Sequence, residues 1–331
     1  MASPPPVPAS APASGPRLVD VTKVEQVTGP GSVNATDRRW NVFGADLGHM
    51  FFYQGTLYMV FGDTFGPDSR QWRSNTMARL VTPDPRAGLR FESMVTDATG
   101  AAGELLGSLK VDGVEKTVIP TNGVSVGGRM FLHYMSVRRW GAPGSWQLNY
   151  SGWAYSDDGG QVWVKDPLAR WPGDSNFGQV AIVPEGGTVY LFGIPGGRQG
   201  GVQLARVPAA HLLDLDAYEY WDGEGWSADR AKATTVVSSP VGELSVRWSA
   251  YAHRWLMMYL DEGRSAVVLR TAPSLTGPWG PEEVVATAQR FPQLYAPYLV
   301  PVDTGPEVYF TMSQYGPYEV FLMKASLVSS P

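Results

Sequence analysis

The sequence predicts an all-β fold, a five-bladed β-propeller whose blades are mostly four-stranded and antiparallel. The main observation is a short apolar phrase, such as GTLYMVFGDTF or GGTVYLFGIPG, that occurs five times along the chain. Its central aromatic residue recurs at intervals of 54 to 73 residues, which is the spacing of a propeller blade with loops of variable length. These five positions are Tyr58, Phe131, Tyr190, Trp255 and Tyr309.

The elements of each blade follow from the same repeat. Each copy of the phrase begins with a turn signal and runs into apolar alternation, which predicts the second strand of a hairpin. A further phrase, such as MARLVTP or GVQLARVP, follows in every repeat and predicts the next strand. The segments upstream of each repeat are predicted to be the innermost strands: GADLGHMFFY, IPTNGVSV, NFGQVAIV, GELSVRWSAY and LYAPYLVP. Five such sheets can bury their faces around an axis, whereas a two-sheet sandwich, the alternative, is usually shorter than 331 residues.

Composition agrees with an all-β domain and excludes several classes of function. The 38 glycines and 27 prolines punctuate the chain, and only residues 209–215 show a short helical pattern. The absence of cysteine removes disulfides and thiolate chemistry. A net charge of −5, with the charges interspersed, offers no basic patch for a nucleic acid. No apolar stretch is long enough to predict membrane insertion.

Residues 1–16 are predicted to be a disordered linker, because a Pro/Ala/Ser-rich tract buries too little apolar area to offset its ordering entropy. Residues 17–331 are predicted to form a single propeller that is the catalytic domain and is monomeric. Pro/Ala/Ser-rich tracts like residues 1–16 commonly tether secreted domains. The sequence therefore favours a secreted or cell-wall-associated protein whose signal peptide has been removed.

The candidate site lies where the five innermost strands begin, because these strand ends ring one mouth of the central funnel. Asp46 and Glu243 stand at two of these strand ends, and Asn122 and Tyr295 stand at two others. Three roles stay open for Glu243 at this point: a catalytic acid across the funnel, a ligand for a sugar hydroxyl, or the partner of a buried arginine.

The first hairpin brings a second carboxylate to the same place. If the chain turns at Gln54-Gly55, antiparallel pairing places Asp63 opposite Asp46, with Cβ atoms about 4.5 to 5.5 Å apart. Like charges at this distance push one carboxyl toward its protonated form, and glycoside hydrolysis uses one protonated and one ionised carboxyl. The alternative is that each Asp, being next to a glycine, caps backbone N–H groups in a turn.

Three further patterns bear on function. The segment SDDGGQVW at 156–163 fits the Asp-box turn of propellers, but the arginines do not form the cluster that a sialic-acid site needs. The four histidines lack metal-ligand spacing, so we expect no catalytic metal and no required cofactor, while a structural ion at the propeller axis stays open. The 12 tryptophans and 15 tyrosines suit a carbohydrate ligand; Trp72 and Trp140 are predicted near the loops at the mouth.

Several phrases in fixed order resemble one bacterial domain family. They include WNVFGADLGHMF, VFGDTFG, AYSDDGGQVW, GELSVRW and MSQYGPYEVFLM, and the resemblance runs from about Val19 to Leu327. This family was long described as of unknown function, and its characterised members are endo-D-arabinanases of actinobacteria. The resemblance implies a five-bladed propeller that hydrolyses internal α-D-arabinofuranosyl bonds of mycobacterial arabinogalactan and lipoarabinomannan. It also implies that the paired acidic residues of the family are Asp46 and Asp63.

The sequence-based hypothesis is therefore an endo-acting α-D-arabinofuranosidase with D-arabinan as substrate. Asp46 is assigned as the ionised carboxylate and Asp63 as the proton donor, with these roles exchangeable, and Glu243 as a third catalytic residue that orients a hydroxyl or tunes the pair. The residues predicted to bind the substrate are Trp40, Asn41, Asn122, Arg198, Tyr295 and Gln314. The alternatives are a non-catalytic carbohydrate-binding propeller and a furanosidase acting on L-arabinan or fructan. Retention and inversion of configuration both stay open.

Overall fold

The computed structural model describes residues 15–328, which form five antiparallel sheets arranged around one axis. The chain begins with β1 (Arg17–Gln26) and the short helix α1 (Thr36–Trp40). Blade 1 contains β2 (Gly44–Tyr53), β3 (Thr56–Phe65), β4 (Trp72–Arg73), β5 (Thr76–Leu80) and β6 (Phe91–Met94). Blade 2 contains β7 (Thr117–Val126), β8 (Arg129–Trp140), β9 (Trp146–Ser156) and β10 (Val164–Pro172).

The remaining three blades follow in chain order. Blade 3 contains β11 (Gln179–Glu185), β12 (Thr188–Ile194), β13 (Gly200–Pro208), β14 (Glu219–Trp221), β15 (Trp226–Ser227) and β16 (Thr235–Val241). Blade 4 contains β17 (Leu244–Ser249), β18 (Arg254–Asp261), β19 (Ala266–Ala272) and β20 (Glu283–Thr287). Blade 5 contains β21 (Leu294–Leu299), β22 (Glu307–Gln314) and β23 (Glu319–Val328), and takes β1 as its fourth strand.

The innermost strands are the ones predicted from the repeat. Strand β2 contacts β7 and β21, β7 contacts β11, β11 contacts β17, and β17 contacts β21, which completes a ring. The ring is closed by β1, which pairs with β23 from the other end of the chain. The five-bladed prediction is confirmed, and three of the five sheets have four strands.

The hairpin turns explain why glycines precede the repeated phrase. The predicted turn at Gln54-Gly55 is confirmed, since Tyr53 pairs with Thr56. Gln54 and Gly55 have φ values of 47° and 77°, which belong to the two-residue turn that matches the twist of paired strands. The Gly-Gly turns at 127–128 and 186–187 also have positive φ at both residues.

The Asp-box turn is also confirmed. Asp158 Oδ1 accepts hydrogen bonds from the amides of Gln161 and Val162, both at 3.0 Å, and Trp163 Nε1 donates to the Gly160 carbonyl at 2.9 Å. The turn joins β9 to the outermost strand β10, far from the axis, so its role is to stabilise the blade.

Other segments fall outside regular strands. The short helical pattern at residues 209–215 corresponds to a 3-10 turn at Ala209–His211, followed by another at Leu215–Ala217. None of the helices in residues 15–328 has the length and apolar composition needed to cross a bilayer. Residues 1–14 of the predicted linker lie outside the described residues.

Candidate active site

A cavity of about 940 Å³ opens at the end of the propeller where the innermost strands begin. This is within the size range of sites for small ligands. All five blades contribute to its lining, which includes Asp46, Asp63, Thr121, Trp140, Trp146, Gln179, Arg198, Glu243, Glu262, Tyr295, Tyr315 and Tyr318. The predicted mouth is therefore a real concavity, and all three predicted carboxylates line it.

A β-bulge in β2 decides which side chains reach this cavity. The register of β2 against β3 shifts on either side of Leu47, and Leu47 and Gly48 have φ values of 69° and 79°. The Leu47 amide leaves the ladder and donates to Ser313 Oγ of blade 5 at 3.0 Å. Asp46 and His49 would face opposite sides of a regular strand, but the bulge directs both into the cavity.

Asp46 is partly exposed, and the Tyr295 hydroxyl donates to its Oδ2 at 3.0 Å. Its Oδ1 is buried and has no hydrogen-bond partner among residues 15–328. A Cβ on Gly62 would lie 2.4 Å from this oxygen, so only glycine leaves room for the carboxyl. Burial raises the pKa of Asp46 to about 7, with the charge of Asp63 adding to the rise and the hydroxyls of Tyr295 and Tyr318 opposing it.

Asp63 is 8% exposed, and its Oδ1 accepts two hydrogen bonds. Trp72 Nε1 donates at 2.8 Å, and Thr117 Oγ1 donates at 2.6 Å from the first residue of β7. Burial raises the pKa of Asp63 to about 6, and these two donors limit the rise because they stabilise the ionised form. The sequence assigned Asp63 as the proton donor, with the two roles exchangeable, and this assignment stays a prediction: burial raises the pKa of both carboxyls, that of Asp46 further.

The predicted cross-strand pairing of the two aspartates is modified by the bulge. Ala45 pairs with Thr64 in the expected register, but Leu47 pairs with Phe61. Between these two pairs Asp46 faces two residues of β3, Gly62 and Asp63, and so has no single opposite partner, while Gly48 is the unpaired residue of β2. The two carboxyls still interact, since the charge of Asp63 raises the pKa of Asp46.

Glu243 is the partner of a partly buried arginine, which is the third of the roles left open for it. Arg198 Nε lies 3.1 Å from both carboxylate oxygens of Glu243, and Nη2 lies 2.9 Å from Oε1. Arg198 also contacts Glu262 Oε2 at 3.2 Å, and its guanidinium lies over the rings of Trp146 and Tyr295. Because both oxygens of Glu243 are engaged, this carboxylate is not placed as a free acid or base.

Four predicted substrate-binding residues do not line the cavity. Trp40 is 8% exposed and packs in the core near Phe91, and the Asn41 amide donates to Gln71. Asn122 is 2% exposed and accepts from the Tyr298 hydroxyl. Gln314 is 8% exposed; its side chain donates to the Pro292 carbonyl and accepts from Lys23. Each has its amide hydrogen-bonded within the protein or its ring packed in the core, so none of the four faces this cavity.

Other cavity residues were not among the predicted substrate ligands. Trp140 and Trp146 flank the loop between β8 and β9, with ring centroids 5.5 Å apart, and Trp140 is 38% exposed. Tyr315, which follows β22 of blade 5, also lines the cavity and is 67% exposed. The sequence signal that could have identified them is the pair of tryptophans on either side of the Gly-Ala-Pro-Gly-Ser loop, because exposed aromatic rings beside a loop are typical of binding surfaces. The prediction that Trp140 lies near the mouth is confirmed, whereas Trp72 supports Asp63 instead.

Among residues 15–328, no group of three or more His, Asp or Glu side chains is arranged to hold a metal ion. The axial histidine His49 has no such companions. The expectation that no cofactor is required, and the open question of an axial ion, both stay predictions.

The family comparison matches residues 31–324 to DUF4185, described as a domain of unknown function. The chain belongs to the DUF4185 family. Its relatives include notoamide biosynthesis cluster protein J of Aspergillus sp. (strain MF297-2), 30% identical over 86% of this chain and 83% of that protein. Protein J' of Aspergillus versicolor is 32% identical over 83% of this chain and 81% of its own length. These names do not mention arabinan, so the resemblance to endo-D-arabinanases stays a prediction for this DUF4185 member.

Solved structures similar to this DUF4185 chain include several glycoside hydrolases. A family 117 glycoside hydrolase of Zobellia galactanivorans superimposes with a TM-score of 0.55 at 12% identity, covering 94% of this chain and 91% of that one. The GH43_1 enzyme of Xanthomonas citri gives a TM-score of 0.53 at 14% identity, covering 88% and 93%. At such low identity these likenesses show the shared fold alone.

Proposed function

We propose that this DUF4185 chain is a glycoside hydrolase, an endo-acting α-D-arabinofuranosidase that cleaves D-arabinan. The observation that carries the proposal is the pair Asp46 and Asp63 at the mouth of the propeller, with pKa values raised to about 7 and about 6. Two neighbouring carboxyls of different pKa supply one proton donor and one ionised group near neutral pH. The glycoside hydrolases that share the fold, and the sequence resemblance to endo-D-arabinanases, support the substrate class.

The roles follow from the contacts of each carboxyl. Asp46 donates its proton to the glycosidic oxygen as the bond from that oxygen to C1 breaks. Asp63, which accepts hydrogen bonds from Trp72 and Thr117, acts in one of two ways. It attacks C1 directly as a nucleophile, or it takes a proton from a water that attacks C1. In the first route, Asp63 forms a glycosyl ester that a water, deprotonated by Asp46, then hydrolyses, and the two displacements together retain the anomeric configuration. In the second route, the single displacement by water inverts it, so NMR of the first product distinguishes the routes.

The deciding experiment compares mycobacterial D-arabinan with plant L-arabinan and fructan as substrates for the purified protein. We expect oligosaccharides from D-arabinan alone. Cleavage of L-arabinan or fructan instead would change the assigned substrate. Saturable binding without new reducing ends would show that the protein is a binding module.

The catalytic assignment is tested by Asp46→Asn and Asp63→Asn. Each is expected to lower kcat by about a thousandfold or more, which exceeds the effect of a lost hydrogen bond. Asp174→Asn is the matched control, because Asp174 is exposed and does not line the cavity. Near-normal activity of either cavity variant, with intact folding, would remove that residue from the mechanism.

The proposal includes secretion or attachment at the cell wall, where such a polysaccharide would be reached, and action as a monomer. The Pro/Ala/Ser-rich tract of residues 2–16 supports secretion. Fractionation of the producing cells and light scattering of the purified protein test these two points.

A further inference from the structure

The floor of the cavity contains a buried imidazole that the proposed mechanism does not use. His49 follows the bulge of β2, is 4% exposed and lines the cavity together with Asp46 and Glu243. Its ring stacks on Tyr298 with centroids 4.9 Å apart and planes 28° apart. The Tyr298 hydroxyl lies 2.7 Å from the Met50 carbonyl, so the surface that supports the imidazole is itself held in place.

Within residues 15–328, neither ring nitrogen of His49 has a hydrogen-bond partner in good geometry, although the Thr121 backbone is near enough to raise the pKa of the ring. Buried polar atoms in folded proteins are nearly always paired, and an unpaired group is a strong indication of a missing water or ligand. His133 is fully buried and also has one unpaired nitrogen, Nε2, but its Nδ1 lies 2.7 Å from Thr121 Oγ1 and the residue does not line the cavity. The unmet hydrogen-bonding capacity at His49 therefore belongs to the cavity.

The charge state of His49 limits what it can bind. Burial lowers its pKa to about 4, against the opposing charge of Glu243, so the ring is neutral near pH 7. A neutral imidazole presents one donor and one acceptor. A neutral ring contributes no positive charge to an anion, and the described residues hold no group of three His, Asp or Glu side chains arranged for a metal ion. A hydroxyl group, which also donates and accepts, matches both nitrogens.

We propose that His49 is a substrate-binding residue that hydrogen-bonds a hydroxyl of the sugar whose glycosidic bond lies at Asp46. The inference rests on the proposed function and deepens it. It places a sugar ring deep in the cavity, where His49 recognises the ring through hydrogen bonds to its hydroxyl groups. Asp46 and His49 lie on one strand, so a ring that reaches His49 is held next to the proton donor.

The test uses His49→Phe, which keeps the stacking on Tyr298 and removes both nitrogens, and His49→Gln, which restores a donor and an acceptor. We expect kcat/KM on D-arabinan to fall about tenfold to a hundredfold for the Phe variant and less for the Gln variant. His211→Phe is the control, because its exposed imidazole lies outside this cavity. Calorimetric titration of α-D-arabinofuranosyl oligosaccharides into Asp46→Asn, with and without His49→Phe, measures the same loss without turnover.

Singly deoxygenated oligosaccharides identify the hydroxyl. If His49 binds one hydroxyl, His49→Phe weakens binding of the parent but not of the analogue lacking that group. Equal weakening of every analogue, or unchanged kcat/KM in an otherwise active enzyme, would overturn the inference and leave the proposed function standing. So would one metal ion per chain that is lost in His49→Phe. If the wild-type protein neither binds nor cleaves any furanoside polymer, the proposed function fails first and this inference fails with it.

Discussion

The Tyr295 hydroxyl of blade 5 donates to Asp46 Oδ2 of blade 1 at 3.0 Å, across 249 residues of sequence. The acid of the first blade is thus oriented by the last blade. This contact exists only when the ring is closed by the pairing of β1 with β23. Burial and the neighbouring carboxylates raise the pKa of Tyr295 well above its ordinary value, so the hydroxyl stays a donor throughout the working range of the site.

The pH profile of kcat/KM is expected to be bell-shaped. Asp63 must be ionised, so activity rises as the pH passes about 6, and Asp46 must be protonated, so activity falls as the pH passes about 7. Initial rates between pH 4 and 9 measure the two limbs, which belong to the coupled pair. Activity that still increased above pH 8 would contradict the assignment of Asp46 as the acid.

Tyr295→Phe is expected to move the alkaline limb to higher pH. The hydrogen bond from Tyr295 lowers the pKa of Asp46, so its loss raises that pKa further. We also expect kcat to fall about tenfold, because the carboxyl loses its orienting contact. A profile identical to that of the wild type would show that this contact does not act on the proton donor.

Gly62→Ala is expected to inactivate the site while leaving the fold intact. The new Cβ would lie 2.4 Å from Asp46 Oδ1 and would displace the carboxyl. A misplacement of about 1 Å can lower the rate about a hundredfold. Gly225→Ala is the matched control, because nothing lies within 4 Å of its Cβ position. Kinetics and thermal unfolding of both variants are compared, and normal activity of Gly62→Ala would refute the proposed crowding.

Arg198→Met is expected to lower the free energy of unfolding by about 3 to 5 kcal/mol, because it leaves Glu243 buried without its partner. The double variant with Glu243→Met should recover part of this loss. Arg129→Met breaks the exposed pair with Asp157 and should change stability by less than about 1 kcal/mol. Urea titrations measure all three, and equal losses in the single and double variants would refute the coupling.

Glu319→Gln is expected to remove a pH dependence of stability. Burial raises the pKa of Glu319 to about 8, while the Thr28 hydroxyl bonded to it limits the rise. The folded state therefore favours the protonated form, so this group's contribution to stability is greatest below about pH 4 and is lost as the pH rises through about 8.

The Gln variant stays neutral, so its advantage over the wild type should grow by a few kcal/mol between pH 5 and pH 8.5 in urea titrations. Glu307→Gln is the control, since Glu307 lies in an exposed pair with Lys324. Equal pH dependence of the wild type and the Glu319 variant would disprove the effect.

The repeat and the turn residues were sufficient to predict the blades, because strand alternation and two-residue turns are local properties. The five innermost strands, the turn at Gln54-Gly55 and the Asp-box turn were all predicted correctly. Asp46 and Asp63 were found for the same reason, since a single hairpin brings them to the mouth of the funnel.

Residues that depend on contacts between blades were harder to predict. Asn122 and Gln314 belong to strand segments that the sequence places near the mouth of the funnel. Their side chains instead form hydrogen bonds with other residues of the protein. The bulge at Leu47 needs Ser313 of another blade to accept the freed amide, so the alternation of β2 alone did not indicate that His49 faces the cavity.

By itself, the sequence determined the number of blades, the order of the strands and the location of two carboxylates, since these follow from periodicity within each repeat. Only the tertiary structure decided the burial that raises the pKa of both Asp46 and Asp63 and the engagement of Glu243 by Arg198. The physical reason is that burial and hydrogen bonding at the axis arise from all five blades together, and no single repeat contains them.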